Sequence, residues 1–286
     1  MNLMRTTPAM RCAVAAWAAA GESIALVPTM GNLHAGHLRL VEAARREADR
    51  VVVSVFVNPT QFGPREDFAA YPRTLAADRR SLNLGGAVDA VFVPSVAAVY
   101  PRGTAGAAMV SLPLLSRELC GEFRPGHFDG VCSVVLRLFN IVSPDVAVFG
   151  EKDYQQLTVL RQMAVDLHLP VRLVGVPTVR ETDGLAMSSR NQYLTSAERA
   201  RAPALAAELR HCAAGLRGGR RDFARLERDA IKRLRKAGFR PDYFAIRAAS
   251  SLGPPQTGER GLRLLAAAWL GRARLIDNLA VRLSQR

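Results

Sequence analysis

Five short runs of β-branched and other apolar residues recur through the first part of the chain: Ile24 to Pro28, Val51 to Val57, Val88 to Val93, Asp145 to Phe149, and Val171 to Val176. They are nearly continuous rather than alternating, the pattern of strands covered on both faces, as in a parallel sheet. Helical patterns lie between them. Phe128 to Val142 places Val131, Val134, Val135, Leu138 and Val142 on one stripe, and Asp153 to His168 does the same with Leu157, Leu160, Ala164 and Leu167. Strand and helix in alternation predict a Rossmann-like, doubly wound α/β domain over 1–177.

The pattern then changes. Thr195 and Glu198 form a T-x-x-E capping box expected to open a long Ala/Arg helix, and a second helix is expected near Phe223 to Ala237. Strand candidates follow at Tyr243 to Arg247, Leu262 to Trp269 and Arg274 to Val281, the last two separated by a turn at Gly271. This predicts a smaller α+β C-terminal domain over 178–286.

At 286 residues the chain is long enough for two cores. Its formal charge of +14 favours anionic partners, but the basic residues are scattered apart from Arg217 to Arg221, so no nucleic-acid arm is expected. The four cysteines, Cys12, Cys120, Cys132 and Cys212, form no CxxC pair and no His/Cys cluster at zinc-ligand spacing, which suits a reducing cytoplasm. The Ala-rich run Cys12 to Ala20 faintly imitates a secretory signal, but it is short and runs straight into a strand, so a first helix is the better reading. No segment approaches the ~20 apolar residues of a membrane-spanning helix.

Chemistry concentrates after the first of the five runs, where the chain reads Pro28-Thr29-Met30-Gly31-Asn32-Leu33-His34-Ala35-Gly36-His37 before a helix. In an open α/β sheet ligands bind outside the carboxyl ends of the strands, and a helix N-terminus offers unpaired N–H groups to phosphate. Two imidazoles on that first turn can donate hydrogen bonds to phosphoryl oxygens as charge builds on them. Neither GxGxxG nor GxxxxGK[ST] follows a strand, and the histidines do not form HExxH, so dinucleotide, P-loop and zinc-protease readings fall away.

H-A-G-H resembles the HIGH motif of the nucleotidyltransferase superfamily. With Val57-Asn58-Pro59-Thr60-Gln61-Phe62, Tyr71-Pro72-Arg73-Thr74, Arg124-Pro125-Gly126-His127-Phe128, Phe149-Gly150-Glu151-Lys152-Asp153-Tyr154-Gln155-Gln156, Gly184-Leu185-Ala186-Met187-Ser188-Ser189-Arg190-Asn191 and a closing Arg274-Leu275-Ile276-Asp277-Asn278, the chain resembles the pantothenate synthetase family over nearly its whole length.

The resemblance implies an ATP-dependent ligase that activates pantoate as an acyl-adenylate, releases pyrophosphate, and joins the pantoyl group to β-alanine with loss of AMP, a step toward coenzyme A. It implies catalytic roles for His34, His37, Lys152 and Arg190. The nucleotide would be bound by Met30, His34, His37, Gly150, Lys152, Asp153, Val179, Met187, Ser188, Ser189 and Arg190. Gln61 and Gln156 would hold pantoate, Met30 and Phe62 would wall its dimethyl group, and Asn58 and Arg124 would serve the β-alanine or phosphate side. Magnesium would accompany the triphosphate, with Asp78 a candidate to help hold it. The smaller domain would act as a lid, and the family pattern implies a cytoplasmic homodimer with no membrane or nucleic-acid partner. Cys120 stands where some members carry Glu, and no function is carried over to it. No dedicated base for the amine attack is legible. The rival readings are a simple nucleotidyltransferase and a non-catalytic nucleotide- or RNA-binding protein.

Overall fold

The computed structural model describes residues 1–64 and 66–284. The chain divides into two compact units, one formed by Met1–Glu151 with Val159–Pro177, the other by Lys152–Thr158 with Thr178–Arg286.

In the first unit the order is β1 (Asn2–Met4), α1 (Thr7–Ala19), β2 (Ile24–Thr29), α2 (Ala35–Glu47), β3 (Arg50–Val55), α3 (Leu75–Leu84), β4 (Ala90–Phe92), α4 (Val96–Val99), α5 (Cys120–Phe123), α6 (His127–Val142), β5 (Val146–Gly150), α7 (Tyr154–Asp166) and β6 (Arg172–Val176). Helix α7 thus begins in the second unit and ends in the first. The six strands pair in parallel in the order β1-β4-β3-β2-β5-β6. Strand β2 is flanked by β3 on one side and β5 on the other, so the chain reverses its direction of travel across the sheet at β2, the switch point where α/β ligands bind.

Both faces are covered along β2 to β5, as the unbroken apolar runs require, whereas β6, expected to be covered likewise, lies at the sheet edge and is only partly buried. Ala25, Val27, Val51, Val53, Val146 and Val148 pack with Leu40, Val41 and Ala44 of α2. The alternate residues Leu26, Val52 and Ala147 are buried as well. The opposite end of the sheet is pinned by carboxylates. Asp49, Asp89 and Asp145, each just ahead of a strand, accept the N–H of Ser23 (2.9 Å), Val51 (2.8 Å) and Ile24 (2.7 Å). This end is closed by structural bonds, leaving the carboxyl ends of the strands to carry functional loops.

Strand β1 was not expected; three residues are too few to show a period, and only pairing with β4 makes them a strand. Helix α1 starts at Thr7, ahead of the Ala-rich run, because Thr6 accepts the Ala9 N–H as N-cap and Pro8 fits the first turn.

The second unit continues with α8 (Ser196–Arg201), α9 (Ala204–Arg217), α10 (Phe223–Lys236), β7 (Arg240–Ala248), β8 (Gly261–Leu270) and β9 (Ala273–Arg282). The capping box forms as expected, with Thr195 Oγ1 accepting from Glu198 N and Glu198 Oε2 from Thr195 N at 2.8 Å. The single long helix does not; Pro203, which lacks an N–H, ends α8 and restarts the chain as α9. Strands β7-β8-β9 form an antiparallel sheet. Leu262, Leu264, Ala266, Ala268 and Leu270 of β8 share a core with Leu205, Leu209 and Leu216 of α9 and with Ala230 and Leu234 of α10. At the β8–β9 turn Gly271 has φ +55°, and a Cβ there would lie 2.0 Å from Glu198 Oε1.

Candidate active site

The loop leaving β2 turns through two residues in the left-handed region, Gly31 (φ +79°) and Asn32 (φ +52°). Glycine suits position 31 on two counts, its positive φ and its crowding: a Cβ would stand 3.0 Å from Val55 Cγ1 and 3.1 Å from Asp78 Oδ2. Thr29 Oγ1 donates to Ser54 O at 2.8 Å and accepts from Gly31 N at 3.2 Å. Asp78, almost fully buried on α3, accepts from Asn32 N at 3.2 Å and Leu33 N at 2.9 Å, and from the Thr74 hydroxyl. Both carboxylate oxygens of Asp78, the candidate magnesium ligand, are thus engaged in holding the loop. Among the described residues no three His, Cys, Asp or Glu side chains gather to cage a metal.

The loop delivers His34 as N-cap and His37 as N3 of α2, and the two imidazoles form a capping box. Nδ1 of His34 accepts from Gly36 N at 3.1 Å, and Nδ1 of His37 accepts from His34 N at 3.3 Å. A neutral imidazole that accepts at Nδ1 carries its proton on Nε2, so the cap fixes the tautomer of both rings as Nε2–H donors. The rings lie 4.1 Å apart at the centroids, side by side at a helix N-terminus where backbone and dipole also favour an anion.

In the same unit Met30, Asn58 and Gln61 meet. Asn58 is buried, its Oδ1 accepting from Tyr100 Oη at 2.8 Å, Thr60 Oγ1 at 3.0 Å and Thr60 N at 3.3 Å. With its oxygen so committed, Nδ2 faces Gly130 O at 3.1 Å and Gln61 Oε1 at 3.2 Å. Gln61 is thereby turned to present Nε2, which lies 3.2 Å from Met30 Sδ. Asn58, expected on the β-alanine or phosphate side, is held among these partners and orients Gln61. Phe62 packs edge-on against Phe68 and Tyr71, with centroids at 5.4 and 5.8 Å.

Arg124 was expected on the β-alanine or phosphate side. Its guanidinium grips Glu66 at both ends, at 2.7 and 2.6 Å, and lies 2.9 Å from His127 Nε2. Burial alone would push the Glu66 carboxyl up, but the hydrogen bonds and charge of Arg124 outweigh it and hold Glu66 below the usual carboxylate range. Gly150 ends β5. Neither Cys132 nor Cys212 is poised as a nucleophile: burial, and then the charge of Asp129, push Cys132 up to about 12, and burial with Glu208 does the same to Cys212.

The second unit carries Lys152, Asp153, Gln156, Val179, Met187, Ser188, Ser189 and Arg190. Lys152 and Asp153 form the short 3-10 turn Glu151–Asp153 ahead of α7, their charged groups 3.6 Å apart, and Gln156 follows half-buried on the first turn of the helix. The loop after β6 folds back on itself, with Arg180 bridged to Ala186 and Met187 N donating to Val179 O at 3.0 Å. Ser188 caps the 3-10 turn Ser189–Tyr193 by accepting Arg190 N at 3.2 Å. Asn191 fixes the turn from within through Glu181 Oε1 (3.0 Å) and Ala186 O (3.1 Å). Tyr100, Thr60, Gly130, Glu66, Arg180 and Arg263 had not been singled out. Apart from Thr60, two positions from Asn58, each lies far along the chain from the residue it supports, and such a lone residue carries no spacing signal.

A parallel sheet whose strand at the switch point runs into a helix capped by two Nε2–H imidazoles defines a nucleotide-dependent α/β enzyme. The pantoate–β-alanine ligase family model matches residues 2–280. A pantothenate synthetase of Thioalkalivibrio sulfidiphilus is 57% identical over 98% of both chains, and one of Pseudomonas putida is 53% identical over 100% of this chain and 99% of its own. Among solved structures, pantothenate synthetase of Thermus thermophilus superposes with a TM-score of 0.90 at 47% identity, covering 98% of this chain and 99% of its own. Pantoate–β-alanine ligase of Francisella tularensis, complexed with β-γ ATP and β-alanine, gives 0.82 at 32% identity, covering 98% and 97%. The chain belongs to the pantoate–β-alanine ligase family, and it is an ATP-dependent ligase of pantothenate formation.

Proposed function

We propose that the chain makes pantothenate in two steps, with the residues named above in the following roles. A pantoate carboxylate oxygen attacks the α-phosphorus of ATP in line, the bond to the β-phosphate oxygen breaks, and pyrophosphate leaves. The amine of β-alanine then attacks the acyl carbon, AMP leaves with the bonding pair, and the amine loses a proton to solvent or phosphate. In the first step negative charge grows on oxygens that are already anionic, so preorganised donors supply the rate. His34 and His37 are those donors, and the observation that carries the reading is the commitment of both Nδ1 atoms to the α2 cap. Lys152 with Ser188, Ser189 and Arg190 would hold the leaving pyrophosphate, and Gly150, Asp153, Val179 and Met187 would complete the nucleotide site.

Gln61 and Gln156 would orient pantoate with neutral amides, which hold a carboxylate without the tight ion pair that blunts its attack. The Asn58–Tyr100 relay supports this role for Gln61. Met30 and Phe62 would wall the dimethyl group. Arg124 would reach a substrate carboxylate by exchanging it for Glu66. Magnesium would enter with the triphosphate as part of the substrate, keeping most of its ligands as water and phosphate. A nucleotide- and pantoate-binding domain over 1–177, a lid over 178–286, a homodimer and a cytoplasmic setting belong to the same reading and rest on the family resemblance. Among the described residues no helix is long and apolar enough to cross a membrane.

The test is AMP and pyrophosphate release from Mg-ATP and pantoate, with and without β-alanine, using His34→Ala as control. The expected result is AMP only with β-alanine and none from the variant. Pyrophosphate in neither arm would rule the substrate assignment out.

A further inference from the structure

The closing motif Arg274-Leu275-Ile276-Asp277-Asn278 takes no part in the roles above, yet Asp277 and Asn278 are both only 4% exposed on β9. Successive residues of a strand point to opposite faces. Asp277 shares the helix-covered face with Leu275 and Val281 and pairs in register with Ala266, while Asn278 points to the other face beside Leu265.

On its face Asp277 takes a bidentate pair from Arg180, at 2.7 and 2.9 Å. Arg180 in turn donates to Gly184 O at 3.0 Å and Asn278 O at 3.3 Å, so the start and end of the 180–184 bend are tied to β9. On the opposite face Arg263 Nε donates to Asn278 Oδ1 at 2.7 Å. This fixes the amide so that Nδ2 donates to Lys152 O at 2.8 Å. Arg263 is itself held by stacking 3.7 Å over the Tyr154 ring, whose hydroxyl donates to Ala249 O at 2.9 Å. These bonds bind Lys152 and its neighbours to the second unit, although in sequence they follow directly on a strand of the first. The expected cost of burying such a polar set is offset only when every member is satisfied.

We propose that Asp277 and Asn278 are positioning residues that hold Lys152 and the Val179–Arg190 loop in one fixed spacing through adjacent positions of a single strand. The proposal rests on the reading that Lys152 and Ser188 to Arg190 grip the departing pyrophosphate. A catalytic cation displaced by about 1 Å can lose on the order of 10²-fold in rate. A two-residue brace inside a three-stranded sheet sets such a distance more firmly than a loop can.

Asn278→Asp isolates the effect. It keeps size and the acceptor for Arg263, and replaces the Nδ2 donor to Lys152 O with an oxygen that repels it. Its rate of pyrophosphate release from Mg-ATP and pantoate is expected to fall about 30- to 100-fold, with KM for pantoate within about twofold of wild type. The same substitution is then made in Lys152→Ala, where the route through the lysine is already gone, and the further loss is expected to be less than about threefold. If Asn278→Asp does not accumulate folded, Asn278→Ser, which withdraws the reach to Lys152 without adding charge, is measured the same way. An unchanged rate in Asn278→Asp, or an equal fold-loss in both backgrounds, would overturn the positioning role while leaving Lys152 in place. A Lys152→Ala protein as fast as wild type would overturn the reading of Lys152, and this proposal with it.

Discussion

Two helices in this chain begin with the same device built from different chemistry. Helix α8 opens with Thr195 and Glu198, which exchange hydrogen bonds with each other's backbone N–H. Helix α2 opens with His34 and His37 in the same reciprocal arrangement. Threonine and glutamate are common choices for a cap, being compact, acceptor-rich and matched to the helix dipole. Imidazole is bulkier, and it can accept at Nδ1 only while that nitrogen stays unprotonated. The α8 box starts a helix. The α2 box is built from a bulkier pair whose two cap bonds also set the tautomer of both imidazoles, and on the function proposed above that tautomer is what the site gains.

The comparison breaks most sharply by exchanging the devices. His34→Thr with His37→Gln rebuilds α2 with an ordinary capping box, and its thermal midpoint should stay within about 3 °C of wild type. Adenylate formation, followed as pyrophosphate release, should fall by about 10³-fold or more, since each lost donor costs about 10²-fold. Retained activity would mean that the imidazoles are only caps.

A smaller effect is expected from Asp78→Ala, which takes the acceptor from the part-buried Asn32 and Leu33 N–H groups ahead of α2. It should cost about 2 kcal/mol of stability by urea unfolding and about tenfold in rate as the loop loosens. If the loop contacts are the whole role of Asp78, the magnesium concentration for half-maximal activity should not move, whereas a shift would make Asp78 a metal ligand. The smallest effect belongs to the other box. Thr195→Ala should cost about 1 kcal/mol at pH 7 with AMP formation unchanged. Neutral pH is the right condition, because the Thr195 backbone and hydroxyl bonds hold Glu198 below its usual value. Its contribution is complete above the unfolded value of about 4.3 and is lost as the pH falls through the lowered folded one.

The strands buried on both faces were legible because an unbroken apolar run has few other uses, and the Thr195 box because its spacing is a fixed pattern. Pro203, inside the expected long helix, carries the local signal for the break between α8 and α9. Strand β1 has too little length for any local signal, and its partner β4 lies some 90 residues along the chain. The site residues were named by resemblance, but their bonds were not. Nothing in the local sequence around Asp78 says that its carboxylate turns inward to Asn32 and Leu33. Likewise, neither Tyr100 nor Asn58 alone reveals that together they aim Gln61. These are pairings between distant segments, fixed by packing and invisible to periodicity.

The crowding at Gly271 has a consequence for how sequences in this family can drift. Its φ of +55° alone would admit asparagine as well as glycine. The carboxylate of Glu198, held by the Thr195 N–H, occupies the space a side chain would enter, so a residue at 271 has to displace that carboxylate and its bond. Positions 198 and 271 therefore form an epistatic pair with a preferred order of change: a shorter residue at 198 comes first and is mild, and only then does 271 open to asparagine. The reverse order first costs the bond between Glu198 and the Thr195 N–H, so lineages that keep glutamate at 198 are expected to favour glycine at 271.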